Sequence, residues 1–598
     1  MDLAGAVLLV ACFGLLVQVL RLRARWSVGR AAPVSWRGVL RVPYAYLHTV
    51  HGVVARDPYA ARMHALTAGG LLAALALSFA LHVLGLGGPV CAGLVLFAIA
   101  VSAVGTFLVA WRRHPRPPRL TGGGFDALPV LLAGALLFLL LAALHSLLRG
   151  GALASLAIAA LGLLCLGTLL FWAVDGPMRH ALAGLVHLAV HERPARFAGE
   201  ASTALRPLVL DPLPGRLGVD AAGDFAWPRL AQFDACVQCG RCQEACPAFA
   251  AGQNLNPKQL VQSLVRATES GAGSLEAFVP AQTLWSCTTC RACVQSCPML
   301  IEHVDTIIDL RRFRTLEQGA LPANAGAALN ELRETDTVAG RALDSRADWA
   351  ADQNIPVLAE TGRTEILLWV GEGGFDRRNQ RSLRALVTLL RRAQVQVAIL
   401  GAEELDCGDL ARRLGDEITF QDLARRNIAT LARYEFSAIL TMDPHALHVL
   451  RREYPAFGGR YRVLHHAEFL AGLIEQGKLA VIPQPGSVTL HDPCYLARYN
   501  NETQAPRRLL AQLGLTVAEM QRHGLGARCC GWGGGAAFSD MPGERRIPDM
   551  RMDDARATAA PVLAVACPNC ANMLEGVTGA RPVVADLAEL VLQAVERA

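Results

Sequence analysis

The chain of 598 residues carries 57 Lys and Arg against 51 Asp and Glu, a net charge of +6, and 53% of its residues are apolar. That length exceeds one domain, and that apolar excess excludes a purely soluble enzyme, a disordered chain, collagen and a charged coiled coil. The basic residues are Arg apart from Lys258 and Lys478, and so mild a positive balance gives no indication of nucleic acid as a partner. Of the 17 Cys, too sparse for a secreted disulfide scaffold, three stand singly before residue 200 and fourteen follow it, mostly in tight groups. Such grouping predicts metal ligation in a reducing compartment.

Apolar runs long enough to cross about 30 Å of hydrocarbon predict five transmembrane helices, at about 3–20, 65–86, 89–111, 126–148 and 151–174. Eight Arg lie between Arg21 and Met63 and four between Arg112 and Arg119, whereas the turns at 87–88 and 149–150 share one. The positive-inside rule therefore places the N-terminus outside a bacterial inner membrane and everything beyond about residue 175 in the cytosol. Asp2 precedes the first apolar run and Arg21, Arg23 and Arg25 follow it, the reverse of a signal peptide, although Leu9-Val10-Ala11-Cys12 has the look of a lipoprotein site. The segment 177–197, too short to span, is expected as an interfacial helix that completes a membrane domain over 1–197.

Histidine is the unusual polar residue of these spans. His82 and His145 fall at similar outer depths, which makes a bis-histidine haem b between them geometrically open, with His64 and His180 or His187 as an inner pair. The alternative is rings resting in the interfacial zone, where a half-polar side chain is tolerated.

After a linker (198–230) comes CVQCGRCQEACP, then CTTCRACVQSCP, both C-x2-C-x2-C-x3-C-P, within a domain spanning 231–318. In this pattern three thiolates reach one iron–sulfur cube and the fourth Cys, ahead of the proline, reaches the other. One 4Fe-4S cluster is thus expected on Cys236, Cys239, Cys242 and Cys297, and a second on Cys287, Cys290, Cys293 and Cys246. Zinc uses four ligands and leaves a duplicated run with its proline unexplained. The helical periodicity of NPKQLVQSLVRA between the motifs predicts the α-helical type of two-cluster ferredoxin domain.

Beyond a connector (319–362), the apolar runs EILLWV, VQVAIL, FSAILTM, SVTLHDP and PVLAVAC alternate with amphipathic stretches, which predicts an α/β unit with parallel pairing. GEGGFD is no dinucleotide turn, because Asp376 stands where the third glycine belongs. Cys494, the Cys529-Cys530-Gly531 run, Cys567 and Cys570 can converge where strand ends meet.

These five cysteines resemble the cysteine-rich CCG domain of heterodisulfide reductase subunits and of glycolate and lactate oxidase iron–sulfur subunits. The resemblance implies a further 4Fe-4S cluster, non-cubane in type, in an intact second repeat (486–598). A degenerate first repeat (363–485) is visible as Glu372, Asp406-Cys407-Gly408 and Asp443-Pro444-His445-Ala446, where Cys407 alone survives of the five. Three clusters are expected rather than four, with a non-iron ion on Glu372, Asp406, Cys407 and His445 left open.

The stretch PYAYLHTVHGVVARDPYAARMHALTAGG (43–70) is similar to the cytoplasmic loop and second span of the membrane-bound iron–sulfur proteins of bacterial dimethylglycine catabolism. That resemblance implies an oxidoreductase fed by a flavin-dependent demethylating dehydrogenase, by way of electron-transfer flavoprotein, that delivers electrons to membrane quinone. The alternative class is a disulfide or thiol reductase with the CCG cluster as its catalytic centre. No catalytic acid or base is nominated.

Overall fold

The computed structural model describes residues 2–34, 36–86, 88–148, 150–198, 203–211 and 215–596, so residues 199–202 and 212–214 of the expected linker lie outside the described part. Among the described residues five helices are long and apolar enough to cross a membrane: α1 (Leu3–Trp26), α2 (Pro58–His82), α3 (Pro89–Arg112), α4 (Gly124–Leu148) and α5 (Ala152–Asp175). They pack in the sequence α2, α3, α4, α5, with α1 against α5. Without a hydrophobic force between helices in lipid, close backbone approach has to hold such a bundle together. A Cβ on Gly105 of α3 would stand 2.3 Å from the Thr67 nitrogen of α2, so glycine is required at this crossing.

Two helices extend beyond the apolar runs. Helix α2 starts at Pro58 because the Asp57 carboxylate caps it by accepting from the Ala60 N–H at 3.1 Å. Helix α1 continues to Trp26, where Arg21 and Arg25 pair with Asp175 at 3.0 and 2.8 Å and the Trp26 indole donates to Asp234 at 2.8 Å. These contacts join the ends of α1 and α5 to the ferredoxin-type domain. Arg56 donates to the Gln295 carbonyl at 2.9 Å, Arg241 to the Val53 carbonyl at 2.8 Å and Lys258 to the Arg119 carbonyl at 2.8 Å. Both Arg-rich loops therefore share one side of the bundle with the cysteine motifs.

The expected interfacial helix is α6 (Arg179–Ala189), and it does more than float at a surface. Its buried His187 donates to the Met299 carbonyl at 2.8 Å, and His191 beyond it to the Leu300 carbonyl at 3.2 Å. Sequence periodicity shows that one face is apolar but not what covers it; here the ferredoxin-type domain does. Just beyond α6, Arg193, Arg196 and Arg291 converge on buried Glu302. Burial opposes that charge, yet the arginines hold its carboxyl well below the usual carboxylate range.

Between the motifs runs α7 (Pro257–Ser270), capped by the Asn256 side chain and ended by left-handed Gly271, as the pattern predicts. After the second motif, α8 (His303–Leu316) is buried on most sides. Two four-stranded parallel sheets follow. The first comprises β1 (Ile366–Trp369), β2 (Val397–Ala398), β3 (Ala438–Thr441) and β4 (Val463–His465) in the order β2-β1-β3-β4. The second comprises β5 (Gly486–Leu490), β6 (Leu515–Val517), β7 (Val562–Val565) and β8 (Val583–Asp586) in the order β6-β5-β7-β8. The central strands β1, β3 and β7 are largely apolar and buried because helices cover both faces, whereas β5 and β6 begin with exposed or half-exposed residues. In each sheet the strand order reverses at the middle pair, where the carboxyl ends of the strands open a crevice.

Candidate metal centres

The two ferredoxin-type loops adopt the same backbone. Gln238 and Gly240 in the first, like Thr289 and Arg291 in the second, have left-handed φ, although three of the four carry a Cβ. Such strain persists where surrounding structure over-determines it, and here it turns main-chain N–H groups toward sulfur. The Thr289 N–H donates to Cys287 Sγ at 3.3 Å, and the Gln238 N–H does the same for Cys236.

The structure brings the cysteines together across the motifs. Cys242 is electrostatically coupled to Cys236, Cys239 and Cys297, and Cys297 in turn to Cys239 and Cys236. Cys246 leaves its own loop to join Cys287 and Cys290, and Cys293 couples to the same three. Burial pushes the Cys236 and Cys287 thiols up to about 11 and Cys297 up to about 12. Arg311 near Cys287 and Lys258 near Cys236 offset only part of that burial, and a bound metal would both displace the protons and repay the rest. None of the 17 thiols is in a disulfide. The donor set is therefore soft, clustered and suited to iron–sulfur clusters.

The remaining five sit at the crevice of the second sheet. Cys494 follows β5, Cys567 and Cys570 follow β7, and Cys529 and Cys530 lie on the long loop after β6. Cys570 Sγ stands 3.3 Å from Cys530 Sγ, Cys529 bonds to both Cys530 and Cys494, and all five are buried. Cys290 of the ferredoxin-type domain also hydrogen-bonds to Cys529, so it belongs to the seam between two groups.

That seam is tightly built. Arg311 of α8 donates to the carbonyls of Cys287 at 2.8 Å, Gly534 at 2.9 Å and Arg413 at 2.7 Å, and so ties the ferredoxin-type domain to both α/β units at one point. Gly534 has φ +69°, and a Cβ there would stand 2.5 Å from the Cys287 carbonyl oxygen.

His491 escaped sequence reasoning, and His445, expected only as a candidate ligand of the first repeat, stands beside the second repeat's cysteines. His491 places a ring nitrogen within 4.8 Å of the sulfurs of Cys530 and Cys570, and His445 of the first unit does so with Cys567. His445 also stacks on Tyr495, centroids 3.7 Å apart. Burial works against charge on His445, but Asp409 at 2.7 Å outweighs it and raises the ring to about 9. For His491 a signal existed, since it lies three residues before Cys494 at a strand end; for His445 none did, because the juxtaposition is tertiary. The first-unit set Glu372, Asp406, Cys407 and His445 forms no ligand group among the described residues. Glu372 instead accepts from the Val338 N–H at 3.1 Å, and His445 turns to Asp409.

The histidines expected for haem divide. His82 Nδ1 bonds to the Asp2 carboxylate at 2.8 Å and leaves a buried Nε2 unpartnered, the arrangement of an axial ligand. His145 is engaged through Nε2 by the Ser155 hydroxyl at 2.9 Å and the Gly151 carbonyl at 3.3 Å. His64 lies against His51 and Tyr46 at the opposite end of α2, and His187 is committed to Met299.

Comparison with known proteins adds three family matches: a domain of unknown function over residues 3–212, a 4Fe-4S dicluster domain over 232–301, and the cysteine-rich CCG domain over 373–451 and 488–575. A "Probable membrane-anchored ferredoxin" of Chromohalobacter salexigens is 46% identical over 96% of this chain and 92% of its own length. The "EtfAB:quinone oxidoreductase" of Syntrophomonas wolfei is 35% identical over 63% of this chain and 60% of its own. One polypeptide of the dihydromethanophenazine:CoB--CoM heterodisulfide reductase of Methanosarcina barkeri is 28% identical over 61% of this chain and 95% of its own.

Proposed function

The chain belongs to the family of the Chromohalobacter salexigens membrane-anchored ferredoxin, as a membrane-anchored iron–sulfur electron-transfer oxidoreductase, and from that premise we propose that it carries electrons from a flavoprotein to membrane quinone. One observation carries the reading: the three cysteine groups form a continuous series that ends beside the bundle of apolar helices. Cys529 touches Cys290, Cys293 couples to Cys242, and the first group ends on Cys236 and Cys239. These two are the half-buried members of a set whose other cysteines are buried. Clusters bound there would supply one-electron storage, two cubanes on the eight ferredoxin-type cysteines and a third cluster, non-cubane, on Cys494, Cys529, Cys530, Cys567 and Cys570.

The chain's own residues do the rest. Arg311 and Arg498 fix the loops that bear Cys287 and Cys290, and the Thr289 and Gln238 N–H groups aimed at sulfur favour the reduced state. The two α/β units, alike in strand order and each matched by the CCG family, are one unit duplicated, of which the second retains the ligands and the first serves as scaffold. The flavoprotein donor is an electron-transfer flavoprotein that serves a dehydrogenase of dimethylglycine or a related N-methyl amine, and the orientation is N-terminus outside, iron–sulfur domains cytosolic. Haem is not part of this proposal.

The test is to reconstitute the full-length protein in lipid vesicles with reduced electron-transfer flavoprotein and decylubiquinone. Quinone reduction that disappears in Cys567→Ser supports the reading. Turnover of a disulfide with no quinone reduction favours the thiol-reductase class instead.

A further inference from the structure

A cavity of about 340 Å³ lies where the membrane bundle meets the ferredoxin-type domain. Its walls come from the start of α4 (Phe125), the end of α5 (Trp172), the start of α6 (His180), α7 (Gln262) and the first cysteine loop, including Cys236 itself. Volumes of this order accommodate small-molecule ligands. We propose that this cavity is the quinone headgroup site, an inference that rests on the reading above that quinone is the acceptor.

Three features select a neutral ring over an anion or a lipid phosphate. First, most of the charges in the wall are paired. Arg179 is spent on the Val174 carbonyl, Asp234 and Glu269, and Asp175 is held by Arg21 and Arg25. Carboxylates outnumber arginines among the lining residues, three to two, and Arg266, whose guanidinium donates to the Ser263 hydroxyl at 2.9 Å, is a single cation and no cradle for a phosphate. Second, polar groups suited to a quinone remain. His180 Nδ1 donates to the Pro177 carbonyl at 2.9 Å, which leaves Nε2 to accept from a quinol hydroxyl. The Gln262 amide, which hydrogen-bonds to Cys236, supplies a donor for a quinone carbonyl next to the sulfur. Third, Phe125 and Trp172 lie at the ends of α4 and α5 nearest the ferredoxin-type domain, and the same helices carry exposed Val130 and Phe171 further along, a lipid-side path for an isoprenoid tail.

Each quinone reduced there takes up two electrons, from two one-electron oxidations of the reduced donor flavoprotein, and two protons from water on the ferredoxin side. A ligand sulfur in the cavity wall puts the acceptor ring directly beside the last cysteine group.

The experiment uses the full-length holoprotein in nanodiscs with two variants, His180→Phe and Phe125→Ala. Unchanged iron content and visible spectrum certify each variant as folded, and if one fails that check the other decides. Decylubiquinone KM should rise about tenfold, the loss of one neutral hydrogen bond or its packing equivalent, while flavoprotein-driven reduction of the soluble dye ferricenium stays at the wild-type rate. An azido-ubiquinone probe should label residues within 121–126 and 172–180 in the wild type, and decylubiquinone should compete with it. If the wild type reduces decylubiquinone but both variants keep its KM and the label maps elsewhere, the cavity assignment is wrong and the acceptor reading stands. If the wild type reduces ferricenium and never decylubiquinone, the acceptor reading falls and takes the cavity assignment with it.

Discussion

Arg498 donates through Nε to the carbonyl oxygen of Cys290 at 2.6 Å, a hydrogen bond between residues 208 positions apart. The same guanidinium reaches the Ala527 carbonyl at 2.7 Å, beside the Cys529-Cys530 pair. One side chain thus clamps the second ferredoxin-type loop to the CCG loop by their main chains, and it also hydrogen-bonds to the Cys290 sulfur with its charge close to Cys494 and Cys529. Next to it the Tyr499 hydroxyl donates to the Thr289 carbonyl at 2.6 Å.

Replacing Arg498 by Gln should therefore loosen the seam and take a positive charge from beside three cysteines, with every ligand residue still in place. Hydrogen bonds from a charged donor contribute about 1.5–3 kcal/mol each, and Gln retains at most one of them. The expected outcome is a lower Tm and slower passage of electrons from the flavoprotein to decylubiquinone, with iron content unchanged. Loss of iron in Arg498→Gln would show that the clamp instead builds the ligand set.

Gly534→Ala acts at the same seam by crowding. Its Cβ would stand 2.5 Å from the Cys287 carbonyl oxygen, at a φ of +69° that costs a non-glycine residue about 1–3 kcal/mol. The neighbouring loop cannot retreat, because Arg311 holds that same carbonyl at 2.8 Å. The variant should melt earlier than wild type and show an altered electron spin resonance signal from the cluster bound at Cys287.

Much of this was legible in the sequence because its signals are local. Spacing alone grouped Cys246 with the second loop and Cys297 with the first, and an apolar run needs no partner to be recognised as a span. The strand ends in SVTLHDP and PVLAVAC suffice to put Cys494, Cys567 and Cys570 at one crevice whatever the sheet order. What stayed hidden was tertiary. Nothing in PMRHALAGLVHLAVHERPARF says that His187 will meet the Met299 carbonyl, 112 positions away, and turn an apparent surface helix into a bracket. Nor does sequence show that Asp2 takes His82, or that His445 of the unit without a cluster stands beside Cys567.

Serine substitutions should separate the centres. Cys567→Ser removes a ligand of the CCG group alone, so about four of about twelve irons should be lost, the complement of three four-iron clusters. Cys242→Ser should remove a similar share from the first ferredoxin-type group and leave the CCG signal intact. Because Cys290 hydrogen-bonds to Cys529, Cys290→Ser is the exception: it should disturb two spectroscopic signals at once. Iron analysis paired with spin resonance on the three variants checks this.

The joint between membrane bundle and ferredoxin-type domain should weaken in acid, through Asp57. Arg112 approaches its carboxylate at 2.8 Å, Arg119 at 3.7 Å and Arg241 of the ferredoxin-type domain at 4.0 Å. Partial burial raises the Asp57 pKa, but the Ala60 N–H and these arginines outweigh it and hold the carboxyl below its ordinary 3.8. A folded-state pKa below the unfolded one means that the contribution is complete above the unfolded value and is lost as pH falls through the folded one. The side chain is 31% exposed, so screening by water and salt limits the effect to below about 1 kcal/mol. Asp57→Asn should reproduce the acid state at neutral pH: faster hydrogen exchange in residues 112–121 and 236–246, with the iron–sulfur signals unchanged. If exchange in those segments is the same in Asp57→Asn as in wild type at pH 7, the arginine cluster is held by other contacts and the expected acid dependence disappears with it.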